Sequence, residues 1–190
     1  MSQMPFLQPL DLPGLCLVTP RRFGDNRGWF SETWNLRALS EAGLNASFVQ
    51  DNHSYSAEVG TIRGLHYQAP PHAQAKLVRC SRGVIWDVVV DVRRGSPTYG
   101  QWAGVTLDSE SGVQLFVPEG FLHGFVTRTP DVEIQYKVTD YYNPLSDGAV
   151  HWDSLGIDWG VTGLPSISDK DASAISFRDF VSPFTYGGTH

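Results

Sequence analysis

Gly60 to Gly83 read GTIRGLHYQAPPHAQAKLVRCSRG. Two strand-like runs, Thr61 to Gln68 and Lys76 to Ser81, flank a segment containing the pair Pro70 and Pro71, and a glycine closes each end. Glycine and proline end strands because one reaches backbone angles that other residues avoid and the other cannot donate to a ladder. The same punctuation runs through the chain, whose 19 glycines and 12 prolines cut the apolar segments short. The neighbouring run, Val84 to Val92, alternates two faces: Val84, Trp86, Val88, Val90 and Val92 point one way, and Ile85, Asp87, Val89 and Asp91 the other. Such alternation belongs to a strand. Further strands are expected at Leu15 to Thr19, Trp29 to Thr33, Phe48 to Ser56, Gln101 to Leu107, Gln114 to Val117, Gly124 to Thr127 and Glu133 to Thr139. One helix is marked, with Asn35 as its cap, Leu36 and Leu39 on one side and Gly43 at its end. After Tyr142 the pattern turns irregular. The expected fold is all-β, a single domain over 1–190 built as a jelly roll with one short N-terminal helix.

The spacings sharpen this to a cupin-like double-stranded β-helix. Five residues separate Gly60 from His66, as in the first metal motif of cupins, but Gln68 occupies the place of the second His. Gly83 is also in register, with six residues between it and position 76, but Lys76 replaces the Glu there and the gap before it is longer. Gly112, Pro118, Gly120 and His123 reproduce the second motif. An ammonium in the first shell repels a divalent ion, so the residues imply a metal-free site. Histidine, lysine and a phenol suit different chemistry, the removal of a proton beside a carbonyl while a cation stabilises the oxyanion.

Composition narrows the classes. With 14 Lys and Arg against 20 Asp and Glu, the formal net charge of -6 offers no global field for nucleic acid or an anionic membrane. The N-terminus MSQMPFLQPLDLPG lacks the features of a signal peptide, and no run is long enough to span a bilayer. A cytoplasmic protein is expected. Cys16 and Cys80 lie among apolar neighbours and read as two buried thiols.

His66 lies in an alternating strand in which Arg63 has the opposite parity, and a bulge at Gly64 would turn both toward one cavity. Lys76 reads either as an exposed residue at a strand start or as an interior cation, and its place at the vacated Glu position argues for the interior. Tyr136, Tyr141 and Tyr142 are candidate acids, and Arg27, Arg63 and Lys170 candidate anion contacts. Either Asp169 or Asp171 could orient the imidazole. His123 reads as a donor to a substrate oxygen or as a core partner, and Asp87 as either an interior partner or an edge charge.

Taken together, DNRGWFSE, QDNHSYS, GTIRGLHYQ, KLVRCSRGVIWDVVVDVRRGSPTYGQW, VPEGFLHGF, YKVTDYY and SDKD resemble the dTDP-4-dehydrorhamnose 3,5-epimerase family, from about Leu15 to Asp171. The resemblance implies a homodimer that acts on a dTDP-4-keto-6-deoxy sugar without a cofactor. It puts the base on His66, the acid on Tyr136, the base's partner on Asp171, and Lys76 and His123 in the pocket. It carries binding roles onto Arg27, Glu32, Gln50, Asp51, Asn52, Arg63 and Lys170, makes Tyr142 the aromatic that stacks on thymine, and finds Asp147 where the family commonly has Glu. The expected reaction is inversion at C3 and C5 of dTDP-4-dehydro-6-deoxy-D-glucose. Inversion of one centre alone, a non-catalytic sugar-nucleotide-binding cupin and a metal-dependent cupin enzyme are the alternatives.

Overall fold

The computed structural model describes residues 5–187. Thirteen strands and two short helices follow one another: β1 (Phe6–Pro9), β2 (Cys16–Thr19), β3 (Arg22–Asp25), β4 (Gly28–Ser31), α1 (Leu36–Glu41), β5 (Gln50–Ser56), β6 (Ile62–Gln68), β7 (Lys76–Arg82), β8 (Val84–Asp91), β9 (Trp102–Asp108), β10 (Gln114–Val117), β11 (Phe121–Thr127), β12 (Val132–Val138), β13 (Asp147–Ala149) and α2 (Asp169–Ala172). A six-stranded sheet in the order β1-β2-β10-β7-β12-β5 faces a five-stranded sheet in the order β13-β6-β11-β8-β9, and β3 and β4 form a separate hairpin. All named strand pairs are antiparallel, and the layout is the jelly roll.

Three apolar clusters explain the layers. Between the sheets, Val78, Leu115 and Ile134 of the first meet Ile85, Val89 and Leu107 of the second. Helix α1 is capped by Asn35, whose Oδ1 accepts from the Ala38 N–H at 3.1 Å. Its Leu39 closes the outer face of the six-stranded sheet against Cys16, Val18 and Leu77. The third cluster lies outside the five-stranded sheet, where Val88, Val90 and Val92 pack beneath Ile157, Trp159, Phe180 and Phe184. Thus the all-apolar face of β8 is turned outward under the C-terminal segment, and the face bearing Asp87 and Asp91 looks into the barrel.

Several expectations need correction. Helix α2 adds to the one expected helix; four residues are too few for a periodic pattern, and Ser168 caps it by accepting from the Asp171 N–H. Strands β1, β3 and β13 were not expected, being three or four residues long with mostly exposed or half-buried side chains. Strand β11 begins at Phe121, before Gly124, because His123 and Gly124 continue the ladder with β8. The tail after Tyr142 is largely irregular but bridges back onto the barrel at Thr61 with Ser166, Val150 with Ile175 and Arg94 with Thr185.

Candidate active site

Strand β6 carries the decisive irregularity. His66 pairs with His123 and Arg63 with Phe125, so two residues of β6, Gly64 and Leu65, oppose one of β11, Gly124, which is a β-bulge. Both strands need glycine here. A Cβ on Gly64 would come within 2.5 Å of the Gly124 Cα, and one on Gly124 within 2.7 Å of the Arg63 carbonyl oxygen. With the parity reset, Arg63 and His66 line the same cavity, of about 410 Å³. The bulge expected from sequence is therefore present, and it turns both side chains to one side.

The two sheets contribute opposite halves of the lining. From β6 and β11 come Arg63, His66, His123 and Phe125; from β7 and β12 come Lys76, Ile134 and Tyr136. His66 and His123 are direct cross-strand neighbours. Tyr136 pairs with Val78 and Val138 with Lys76, which makes Tyr136 and Lys76 diagonal neighbours on the facing sheet. Lys76 is thus interior, the second of its two readings.

Each polar group has a defined partner. His66 Nε2 lies 2.6 Å from Asp171 Oδ1, and Asp171 Oδ2 also accepts from the Gly64 N–H at 3.2 Å. Burial alone would raise the Asp171 carboxyl, but hydrogen bonds from His66, Gly64 and Ser168 outweigh it and hold it below the usual carboxylate range. Asp171 is therefore a carboxylate. It accepts a hydrogen bond from the Nε2–H of His66, which leaves Nδ1 with the free lone pair. Burial pushes the Tyr136 phenol up, with Arg63 opposing and Asp147 adding to the rise, so the phenol keeps its proton at neutral pH. Burial also pulls the Lys76 ammonium down to about 8, against the pull of Asp87 and Asp147. Lys76 is still mainly a cation at pH 7.

A second His-carboxylate pair stands beside the first. His123 Nε2 lies 2.9 Å from Asp87 Oδ1 and 3.0 Å from Oδ2, and the Asp87 side chain is fully buried. Of its two readings, Asp87 takes the interior one. The thiols of Cys16 and Cys80 are buried and free, and burial pushes both up to about 11, which leaves them unreactive.

At the mouth, Lys170 lines the cavity and bonds to Asp147 Oδ2, to which the Tyr142 hydroxyl also donates at 3.4 Å. Arg63 is held open toward the cavity by Ser56 Oγ at 3.0 Å and the Tyr55 carbonyl at 2.8 Å. Gln50 and Asn52 share the inward parity of β5 with the cavity residue Ser54, and Gln50 Nε2 donates to Asn52 Oδ1 at 2.8 Å. Asp51 has the opposite parity. It is exposed on the outer face, 2.9 Å from Lys137 Nζ, and is not brought to the cavity. Arg27 and Glu32 are also absent from the lining: Arg27 pairs with Asp25 at 2.6 Å at the exposed β3–β4 turn, and Glu32 accepts from Asn35 at 2.9 Å. Asp169 starts α2 without a contact to His66, which settles the choice between the two aspartates.

Residues that sequence reasoning overlooked include Ser54, Thr61, Ser166 and Ser168 of the lining. Ser168 was detectable, because Ser-x-x-Asp before a helix is a capping signature. Among the described residues no three His, Cys, Asp or Glu side chains are grouped to hold a metal ion. Gln68, at a former ligand position, bonds instead to backbone groups of His72, Tyr141 and Asn143.

A family model described as dTDP-4-dehydrorhamnose 3,5-epimerase matches residues 9–179. The chain belongs to the dTDP-4-dehydrorhamnose 3,5-epimerase family. A relative of that name from Salmonella typhimurium is 48% identical over 166 residues, 86% of this chain and 90% of its own. A Bacillus anthracis dTDP-4-dehydrorhamnose 3,5-epimerase, solved with TDP and PPi bound, superposes with a TM-score of 0.88 at 46% identity, covering 91% of this chain and 99% of that one. A Legionella pneumophila epimerase, solved in complex with dTDP-4-keto-L-rhamnose, gives a TM-score of 0.89 at 38% identity over 95% and 98% of the two chains. This epimerase, like them, is built on the jelly roll.

Proposed function

We propose that this epimerase inverts C3 and C5 of dTDP-4-dehydro-6-deoxy-D-glucose, giving dTDP-4-dehydro-L-rhamnose, with proton transfers made by its own side chains. The observation that carries the reading is that His66 and Tyr136 enter one cavity from opposite sheets. Inverting a carbon requires a base on one face and an acid on the other, and two facing sheets supply that arrangement. In the substrate C3 and C5 both flank the C4 ketone, so each carries an acidified proton. His66, oriented by Asp171, takes the proton through Nδ1. The electrons move onto the C4 oxygen, where the Lys76 ammonium and His123 stabilise the enolate, and Tyr136 returns a proton to the opposite face. Repositioning the sugar ring brings the second carbon to the same pair.

The nucleotide end is read from the rim. Arg63 and Lys170 face the diphosphate, and Tyr142 is the platform for the thymine ring. Arg27 and Glu32, with the exposed Trp29 and Phe30 between them, lie outside the cavity of their own chain. Their binding roles are best met if the protein is a homodimer in which each hairpin reaches the nucleotide held by the other copy.

Proton NMR of the keto sugar in deuterated water tests the reaction. Deuterium at both C3 and C5 is expected; exchange confined to one carbon leaves a mono-epimerase. His66→Ala should abolish turnover while dTDP binding changes little, whereas Arg63→Ala should weaken binding as well. Retained turnover in His66→Ala overturns the mechanism.

A further inference from the structure

Gln68 occupies the position where a metal-binding cupin has its second His, and it does not line the catalytic cavity. It is buried at 5% exposure, one inward position beyond His66 on β6. Its amide is fully employed. Nε2 donates to the Tyr141 carbonyl at 3.0 Å and to the His72 carbonyl, and Oε1 accepts from the Asn143 N–H at 2.9 Å. These contacts bracket Tyr142, whose own N–H donates to Gln50 Oε1 at 3.0 Å. Gln68 belongs to the five-stranded sheet and Gln50 to the six-stranded one. The irregular segment Tyr141 to Asn143 is therefore clamped at three consecutive residues by two glutamines, one from each sheet, while Asp147 accepts from the Tyr142 hydroxyl.

We propose that Gln68 is a positioning residue for nucleotide binding: it fixes the backbone on either side of Tyr142, so that the ring is held in place before the base arrives. The inference rests on the reading that Tyr142 carries the base. The physical case is one of ordering. Tyr142 is 58% exposed, so little packing holds it, and an unordered segment would lose conformational entropy on binding. A carboxamide is suited to this role because it donates to two carbonyls and accepts from one N–H with a single planar group. Neither a carboxylate nor an imidazole at position 68 offers that combination. The same strand thus sets the base through Gln68 and the proton acceptor through His66.

The test is a double-mutant cycle read by dTDP titration calorimetry and steady-state kinetics on the intact protein. Tyr142→Ala comes first, and weaker dTDP binding is expected. Gln68→Met keeps the length of the side chain and removes all three hydrogen bonds, and Gln68→Ala is the second variant should methionine disturb the segment. Expected for Gln68→Met is dTDP affinity lowered about tenfold, with KM raised in parallel and kcat within about twofold of wild type, the scale of one or two lost ordering bonds. Combined with Tyr142→Ala, the Gln68 substitution should add almost nothing, because its effect passes through that ring. Additive losses, or a fall in kcat at unchanged KM, overturn the positioning role and leave the Tyr142 reading standing. Unchanged dTDP binding in Tyr142→Ala overturns the reading of Tyr142 itself, and with it the inference.

Discussion

Asp87 and Asp91 lie on the same inward face of the same strand, β8, and both are fully buried, yet their surroundings differ in kind. Asp91 is saturated: Arg93 bonds it through Nε at 2.9 Å and Nη2 at 2.7 Å, and Ser96 and Thr98 each donate to Oδ2 at 2.6 Å. Arg93 is fixed in turn by the Pro13 carbonyl at 3.0 Å and by the rings of Phe121 and Tyr186, at 4.3 Å and 5.0 Å. Asp87 instead meets His123 and acts on the charge of Lys76. A buried carboxylate surrounded by a guanidinium and hydroxyls has one state at every working pH. One beside the Lys76 ammonium shares its field with a group that loses its proton near pH 8. The partner, rather than the burial, separates scaffold from chemistry.

Breaking the Asp91 cluster should produce the largest effect. Asp91→Ala leaves the largely buried Arg93 guanidinium without its counter-charge, and a loss of about 3 kcal/mol of stability is expected by denaturant titration, with turnover per folded molecule unchanged. Its acid dependence has a fixed sign. Although burial would raise the Asp91 carboxyl, the bonds from Arg93, Ser96 and Thr98 outweigh it and hold it below its ordinary value. The cluster therefore contributes fully above about pH 4 and loses its contribution as the pH falls through the lowered folded-state value. Wild type and variant should converge in acid. Equal stability at pH 7 would show that the cluster is dispensable.

Asp87→Asn should do the reverse. Stability should change little, since an amide still meets His123, but kcat should fall about tenfold to a hundredfold, less than the cost of deleting an oxyanion donor outright because His123 itself remains. A smaller effect sharpens the contrast further. The kcat/KM of wild type should decline above about pH 8, because the ammonium needed at the enolate is the form lost as the pH passes the lowered Lys76 value. Asp87 is one of the charges that hold that value up, so in Asp87→Asn the alkaline limb should move to lower pH. An Asp91 variant should leave it in place. An identical limb in wild type and Asp87→Asn would break the link between the two groups.

Strand β8 also shows what the sequence could and could not convey. Alternation gave its two faces correctly, but not which one looks inward. The all-valine and tryptophan side suggests a core, and it is one, beneath Phe180 and Phe184 contributed from far along the chain. Nothing local announces such a cover. The bulge at Gly64 was legible because two side chains of opposite parity can share a cavity only across a break in the ladder, and glycine permits that break. Helix α2 was not, beyond the capping signal at Ser168, being a single turn whose position is set by Asp171 bonding to His66 and Gly64. Lys76 was placed indoors by its spacing to Gly83, whereas Gln68 read only as a missing ligand. Its three partners lie in loops that spacing does not relate to β6.

Asp51 provides the smallest effect and a check on strand parity. The motif QDNHSYS invites assigning Gln50, Asp51 and Asn52 together, but consecutive residues of a strand point to opposite faces. In β5 the even positions follow Ser54 inward, and Asp51 goes outward to Lys137, as the cross-strand pairing of Asp51 with Lys137 requires. An exposed pair of this kind contributes roughly 0–1 kcal/mol. Asp51→Ala should therefore leave kcat/KM within about twofold and stability within that range, while Asn52→Ala, on the inner face beside Tyr136, should cost more in KM. If Asp51→Ala raised KM more than Asn52→Ala, the outer face of this sheet would have to meet substrate. Alternation alone would then fail as a guide to which residues of β5 serve the site.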